Sequence, residues 1–124
     1  MTMDRSVLIV EDDKAVSRAI QTALAPLGYQ IRAACNCSNG LALAQEAMPR
    51  LLVLDLALPD GSGLSLLQDI RRSFPQDDPG VVVVSSNPVT RAELRAHNVH
   101  RFVPKPFDMA YLVETIQELL PPHV

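Results

Sequence analysis

The sequence predicts an α/β fold, a doubly wound parallel sheet of (βα)5 plan with strand order 2-1-3-4-5. Three observations carry that reading: short apolar runs of buried-strand length, amphipathic segments alternating with them, and acidic or polar residues where the runs end. Alternating β and α segments argue for a parallel sheet covered on both faces. The right-handed crossover rule then leaves 2-1-3-4-5 as the usual order for five strands.

The first strand is about Ser6 to Val10, ending in Glu11-Asp12-Asp13. A first helix from near Lys14 to Leu27 places Val16, Ile20, Ala23, Leu24 and Leu27 on one face, and Asp13 is set to be its N-cap. Gly28 follows where a left-handed cap belongs. The second strand lies near Gln30 to Ala34, and an Ala- and Leu-rich helix from about Asn39 to Met48 is stopped by Pro49. Leu51 to Leu54 form the third strand and lead to Asp55. A third helix, roughly Leu64 to Ser73, turns Leu66, Leu67 and Ile70 inward and ends in Arg71-Arg72, favourable beside a helix carboxyl end, before Pro75. Val81 to Val84 form the fourth strand, Thr90 to His97 a short fourth helix, and Arg101 to Val103 the fifth strand. Asp108 opens the last helix, which runs through Leu120. Residues 1–120 thus read as one domain, and 121–124, starting Pro121-Pro122, as a tail or the start of a linker.

Composition sets limits on function. A chain of 124 residues is one domain with a single core, and although 48% of its residues are hydrophobic, no apolar stretch reaches bilayer-spanning length. Met1 to Arg5 lead almost directly into the first strand with no visible signal peptide, so a cytoplasmic protein with no membrane partner is expected. A net charge of −3 and the lack of a basic patch argue against direct nucleic-acid binding by this domain. Cys35 and Cys37 form a lone C-x-C without the second pair a structural zinc site needs, and read as ordinary thiols. His97, His100 and His123 have no ligand spacing and read as solvated polar residues.

The strand ends carry the chemistry. An isolated Asp at a strand end is as readily a turn residue as a reactive one. Asp55, however, shares its sheet edge with Glu11 and Asp12 if the first and third strands are neighbours, and ligands in such folds gather at the carboxyl ends of strands. Crowded carboxylates call for a compensating cation. Mg²⁺ suits oxygen ligands and is commonly held by one or two carboxylates plus a phosphate oxygen. Ser85, after the fourth strand, adds a hydroxyl donor, and Lys105, after the fifth, adds a compact ammonium able to hold a phosphoryl group.

With those pieces in order, Leu8-Ile9-Val10-Glu11-Asp12-Asp13, Leu54-Asp55 through Pro59-Asp60-Gly61-Ser62-Gly63, Val84-Ser85 and Lys105-Pro106-Phe107, the chain resembles the receiver domain of bacterial two-component response regulators from about Val7 to Leu120. The resemblance implies a flavodoxin-like receiver fold and a regulatory domain, not an enzyme, beyond Mg²⁺-dependent self-phosphorylation and autodephosphorylation. It implies that Asp55 is the phosphoacceptor, assisted by Lys105 and Ser85. Glu11, Asp12, Asp55 and the backbone carbonyl of Ala57 would hold Mg²⁺, with Mn²⁺ as a substitute; no organic cofactor is expected. Ser85 and Phe102 would be the switch pair, and Lys105-Pro106 the family's cis peptide. The implied partners are a sensor histidine kinase or phosphotransfer protein as donor, and an output domain or partner protein reached through the fourth helix, fifth strand and fifth helix. That face leaves room for a homodimer.

Some positions depart from the family pattern. Ser85 to Lys105 is about two residues shorter than usual, Phe102 replaces the commoner Tyr, and Asn98-Val99 stands where Gly-Ala is usual, Asn being the residue that best tolerates a left-handed conformation. One alternative is a degenerate receiver, a protein-interaction module that works without phosphorylation. A flavodoxin-like binder of an anionic cofactor would need a Gly-, Ser- or Thr-rich phosphate loop where Glu11-Asp12-Asp13 stand.

Overall fold

In the computed structural model, which describes residues 4–122, the five long strands form one parallel sheet. They are β1 (Ser6–Val10), β2 (Gln30–Ala34), β3 (Leu51–Leu54), β6 (Gly80–Ser85) and β7 (Arg101–Pro104). The order is β2-β1-β3-β6-β7, the expected 2-1-3-4-5 once an additional hairpin, β4 (Ala57–Leu58) with β5 (Gly61–Ser62), is numbered in chain order. The helices are α1 (Lys14–Leu24), α2 (Cys37–Glu46), α3 (Gly63–Ser73), α4 (Arg91–Ala96) and α5 (Met109–Leu119). Residues 123 and 124 of the tail, His123 among them, lie outside the described residues.

Two apolar layers sandwich the sheet, and the period-2 alternation of side chains along each strand feeds both. Val7, Ile9, Leu51 and Val53 pack with Ile20 and Leu24 of α1 and Leu112 and Ile116 of α5. Leu8, Val10, Leu52 and Leu54 pack on the other face with Ala44 of α2 and Leu66, Leu67 and Ile70 of α3. Strands buried on both faces explain why the runs are continuously apolar.

Local chemistry sets the helix ends. Asp13 caps α1, its carboxylate accepting from the N–H groups of Ala15 and Val16. The α1 geometry stops at Leu24, and Ala25–Leu27 tighten into a 3-10 turn because Pro26 has no N–H to continue the ladder. Gly28 then takes the left-handed cap, φ 84°. The second helix begins at Cys37, two residues before the expected start, because Asn36 caps it by accepting from the Asn39 N–H at 2.7 Å. Asn98 adopts φ 50°, the left-handed conformation expected of it.

Two residues go beyond their sequence reading. Arg71 stands with Arg72 in the last turn of α3, as expected, but it also reaches across to the carbonyls of His97 and Asn98 and holds the carboxyl end of α4. His100 is not merely solvated, since its Nδ1 accepts the Val81 N–H at 3.0 Å and completes the first rung between β6 and β7. The helix α4 contains no buried residue, so Thr90 at its start and Arg71 at its end supply much of its tether.

Candidate functional site

Three of the predicted site residues stand one position beyond a strand, where the backbone still belongs to the ladder. The N–H of Glu11 donates to Ala34 O at 3.0 Å, that of Asp55 to Val10 O at 3.0 Å, and that of Lys105 to Ser85 O at 2.9 Å. Register therefore delivers these side chains to the same carboxyl edge, across the switch point between β1 and β3.

At that edge, the Lys105 ammonium bridges two carboxylates, lying 2.6 Å from Glu11 Oε1 and 3.0 Å from Asp55 Oδ2. Glu11 and Asp55 are buried, whereas Asp12 is exposed. Glu11, Asp12 and Asp55 each present a carboxylate oxygen within 4.8 Å of the others, an all-oxygen set that suits a hard divalent cation. Burial, reinforced by Asp55, pushes the Glu11 carboxyl up to about 7, against the lowering contacts with Lys105 and the Asp13 N–H. Burial alone would pull the Lys105 ammonium down, but the hydrogen bonds and charges of Glu11 and Asp55 outweigh it and raise it. With three acids against one base, the pocket retains a strong demand for positive charge.

Ser85 is buried at the end of β6, its Oγ accepting the Asn87 N–H at 3.0 Å. The N–H of Ala57 in β4 donates to Asp55 Oδ1 at 3.1 Å, which fixes the carboxylate rotamer. Phe102 lies apart from the acids, half-buried in β7 against the α2–α3 side of the core. The Lys105-Pro106 peptide bond is cis.

The loop after Asp55 folds back so closely that a side chain at position 63 has no room: a Cβ on Gly63 would sit 2.1 Å from the Asp55 carbonyl oxygen and 3.2 Å from Leu56 Cα. Gly63→Ala is expected to lower stability by about 3 kcal/mol, at the upper end of overpacking costs, because the clash is with backbone that cannot rotate away. A fall in the urea midpoint at unchanged slope would be its signature.

The hairpin β4–β5 and its anchor were not legible in the sequence. Its tip residue Asp60 accepts the Cys37 N–H on Oδ1 at 2.7 Å and the Ser38 N–H on Oδ2 at 3.0 Å, joining the loop to the amino end of α2. The available signal was an acid at a Pro-Asp-Gly turn, which reads equally well as solvated. Beside it, burial and the Asp60 charge push the Cys37 thiol up to about 11. Since the thiolate is the reactive species, alkylation of Cys37 by iodoacetamide should quicken about tenfold per pH unit until roughly pH 11. Peptide-resolved mass spectrometry over pH 7–11 would read this.

Comparison with known proteins gives a consistent set of relatives. The family model for the response regulator receiver domain matches residues 7–117. The chain is 28% identical over 117 residues to the DNA-binding transcriptional regulator NtrC of Azospirillum brasilense, covering 93% of this chain and 24% of that protein. It is 42% identical over 67 residues to the KDP operon transcriptional regulatory protein KdpE of Escherichia coli, covering 54% of this chain and 30% of that protein. The chain thus spans less than a third of either relative. Among solved structures, a CheY-like response regulator receiver domain protein from Methanospirillum hungatei superposes with a TM-score of 0.86 at 25% identity, covering 95% of this chain and 94% of that one.

Proposed function

The chain belongs to the response regulator receiver domain family, and from that premise we propose that it accepts a phosphoryl group on Asp55 and uses it to reshape the surface formed by α4, β7 and α5. The observation that carries this reading is the position of the Asp55 carboxylate, buried at the end of β3 with the Lys105 ammonium 3.0 Å from one oxygen and two further acids alongside.

Glu11, Asp12, Asp55 and the Ala57 carbonyl are the proposed Mg²⁺ ligands, a choice supported by the oxygen-only donor set. The ion would supply charge neutralisation for the transferring phosphoryl group. An Asp55 carboxylate oxygen attacks phosphorus as the bond to the donor breaks, giving an acyl phosphate and releasing the donor's imidazole, or acetate where acetyl phosphate is the donor. Lys105 passes from the carboxylate to a phosphoryl oxygen, and Ser85, whose Oγ already accepts from Asn87, donates its hydroxyl proton to another.

Phe102 is the proposed reporter of that change, turning further inward as Ser85 moves. This is a population shift that needs only a few kcal/mol of differential interaction. The proposed donor is a histidine kinase or phosphotransfer protein, the proposed location the cytoplasm, and the proposed recipient an output domain or separate protein at α4-β7-α5. The domain remains a regulator that supplies its own transfer site. Among the described residues, no helix is long and apolar enough to cross a membrane.

The test is intact-protein mass after incubation with acetyl phosphate, with and without Mg²⁺. Gain of one phosphoryl group only when Mg²⁺ is present is expected. Lack of any gain from either acetyl phosphate or a phosphorylated histidine phosphotransfer domain would favour the phosphorylation-independent module.

A further inference from the structure

We propose that Asp60 is a positioning residue for the metal and phosphoryl site, pinning the β4–β5 hairpin, and with it the Ala57 carbonyl, to the amino end of α2. The inference rests on the proposed reading of that site and assigns it a support outside the ligand set.

The hairpin is small. Its ladder pairs only Ala57 with Ser62 and Leu58 with Gly61, and Pro59-Asp60 form the turn. Two-stranded hairpins are marginal by themselves, so so short a ladder needs an external anchor to hold a carbonyl in a fixed direction. Asp60 provides it with both carboxylate oxygens, on the N–H groups of Cys37 and Ser38 at 2.7 and 3.0 Å. A weaker second link joins the same elements, the Cys37 thiol donating to the Ser62 carbonyl at 3.7 Å.

Helix α2 does not depend on Asp60 for its cap, because Asn36 already accepts the Asn39 N–H. The Asp60 bonds instead satisfy the two amides that Asn36 leaves over, and their other end is the loop carrying Ala57. Those two N–H groups hold the Asp60 carboxyl below its ordinary range, so it is ionised throughout the neutral region and suited to a helix amino terminus. At the near end of the loop, the Ala57 N–H meets Asp55 Oδ1 and the Gly63 N–H meets Leu56 O, which ties its base to the phosphoacceptor. Base and tip are thus both fixed, and along the chain the Ala57 carbonyl lies between its own N–H at the base and Asp60 at the tip.

Isothermal titration of Mg²⁺ into the wild type, Asp60→Ala, Asp60→Asn and Thr90→Ala tests this. Asp60→Ala should weaken Mg²⁺ binding roughly tenfold, the lower end of the effect of removing a residue that orients metal ligands. Asp60→Asn keeps one acceptor oxygen and should fall between Asp60→Ala and the wild type. Thr90→Ala, which removes the α4 cap and no residue of the ligand set, should lower the melting temperature without moving Mg²⁺ affinity. Wild-type affinity in folded Asp60→Ala or Asp60→Asn overturns the inference alone and reduces Asp60 to a helix cap. A wild type that binds no Mg²⁺ at millimolar concentration overturns the metal reading and the inference together.

Discussion

Asp55→Asn should show no phosphoryl gain from acetyl phosphate in Mg²⁺, a loss of more than about 10³-fold, as expected when the nucleophile of a concerted site is removed. The substitution keeps the shape of the side chain and removes the oxygen anion proposed to attack phosphorus. It also removes one of the two carboxylates that share Lys105, leaving Glu11 as its partner at 2.6 Å. The remaining one-to-one pair has no excess negative charge, so the variant should fold at least as stably as the wild type. Circular dichroism and a urea titration would separate lost chemistry from lost structure. Phosphorylation of the variant at the wild-type rate would place the acceptor elsewhere.

The second large effect is on the cation. The double variant Glu11→Ala with Asp12→Ala should lose detectable Mg²⁺ binding, a drop well beyond the roughly tenfold that follows from disturbing an orienting residue. Only the Asp55 carboxylate and the Ala57 carbonyl would remain, and Lys105, released from Glu11, would compete for Asp55 more closely. The chain has no Trp, so calorimetry is a better readout than intrinsic fluorescence. Retained affinity would remove Glu11 and Asp12 from the site.

What the sequence made legible followed from backbone arithmetic. The first and third apolar runs ended just before the residue whose N–H closes the last rung of its ladder, and the fifth strand continues through Pro104 to Lys105, so Glu11, Asp55 and Lys105 converge in the observed strand order. Asp13 and Asp108 were legible as caps because capping is local, an oxygen and an amide two residues apart. What was missed depends on contacts between elements. Arg71 stands at its own helix end as expected but also holds a second helix, and His100 supplies a rung that no local pattern encodes. The start of α2 was placed two residues late because Asn36 sits between two cysteines and its capping role becomes clear only with the turn geometry. The β4–β5 hairpin carries too few residues for any periodicity to register.

The helix α4 buries none of its six residues, whereas every residue of β3 is buried. A helix that short is far below the length that sustains itself in water, so its order is borrowed from the two ends that hold it. Its own six residues contribute no buried side chain to either hydrophobic layer, so the free energy of displacing or unwinding it lies well below that of global unfolding. The molecule therefore separates durability from the proposed responsiveness in space: the layered sheet can be highly resistant to denaturation while the face proposed to be reshaped is the loosely held α4.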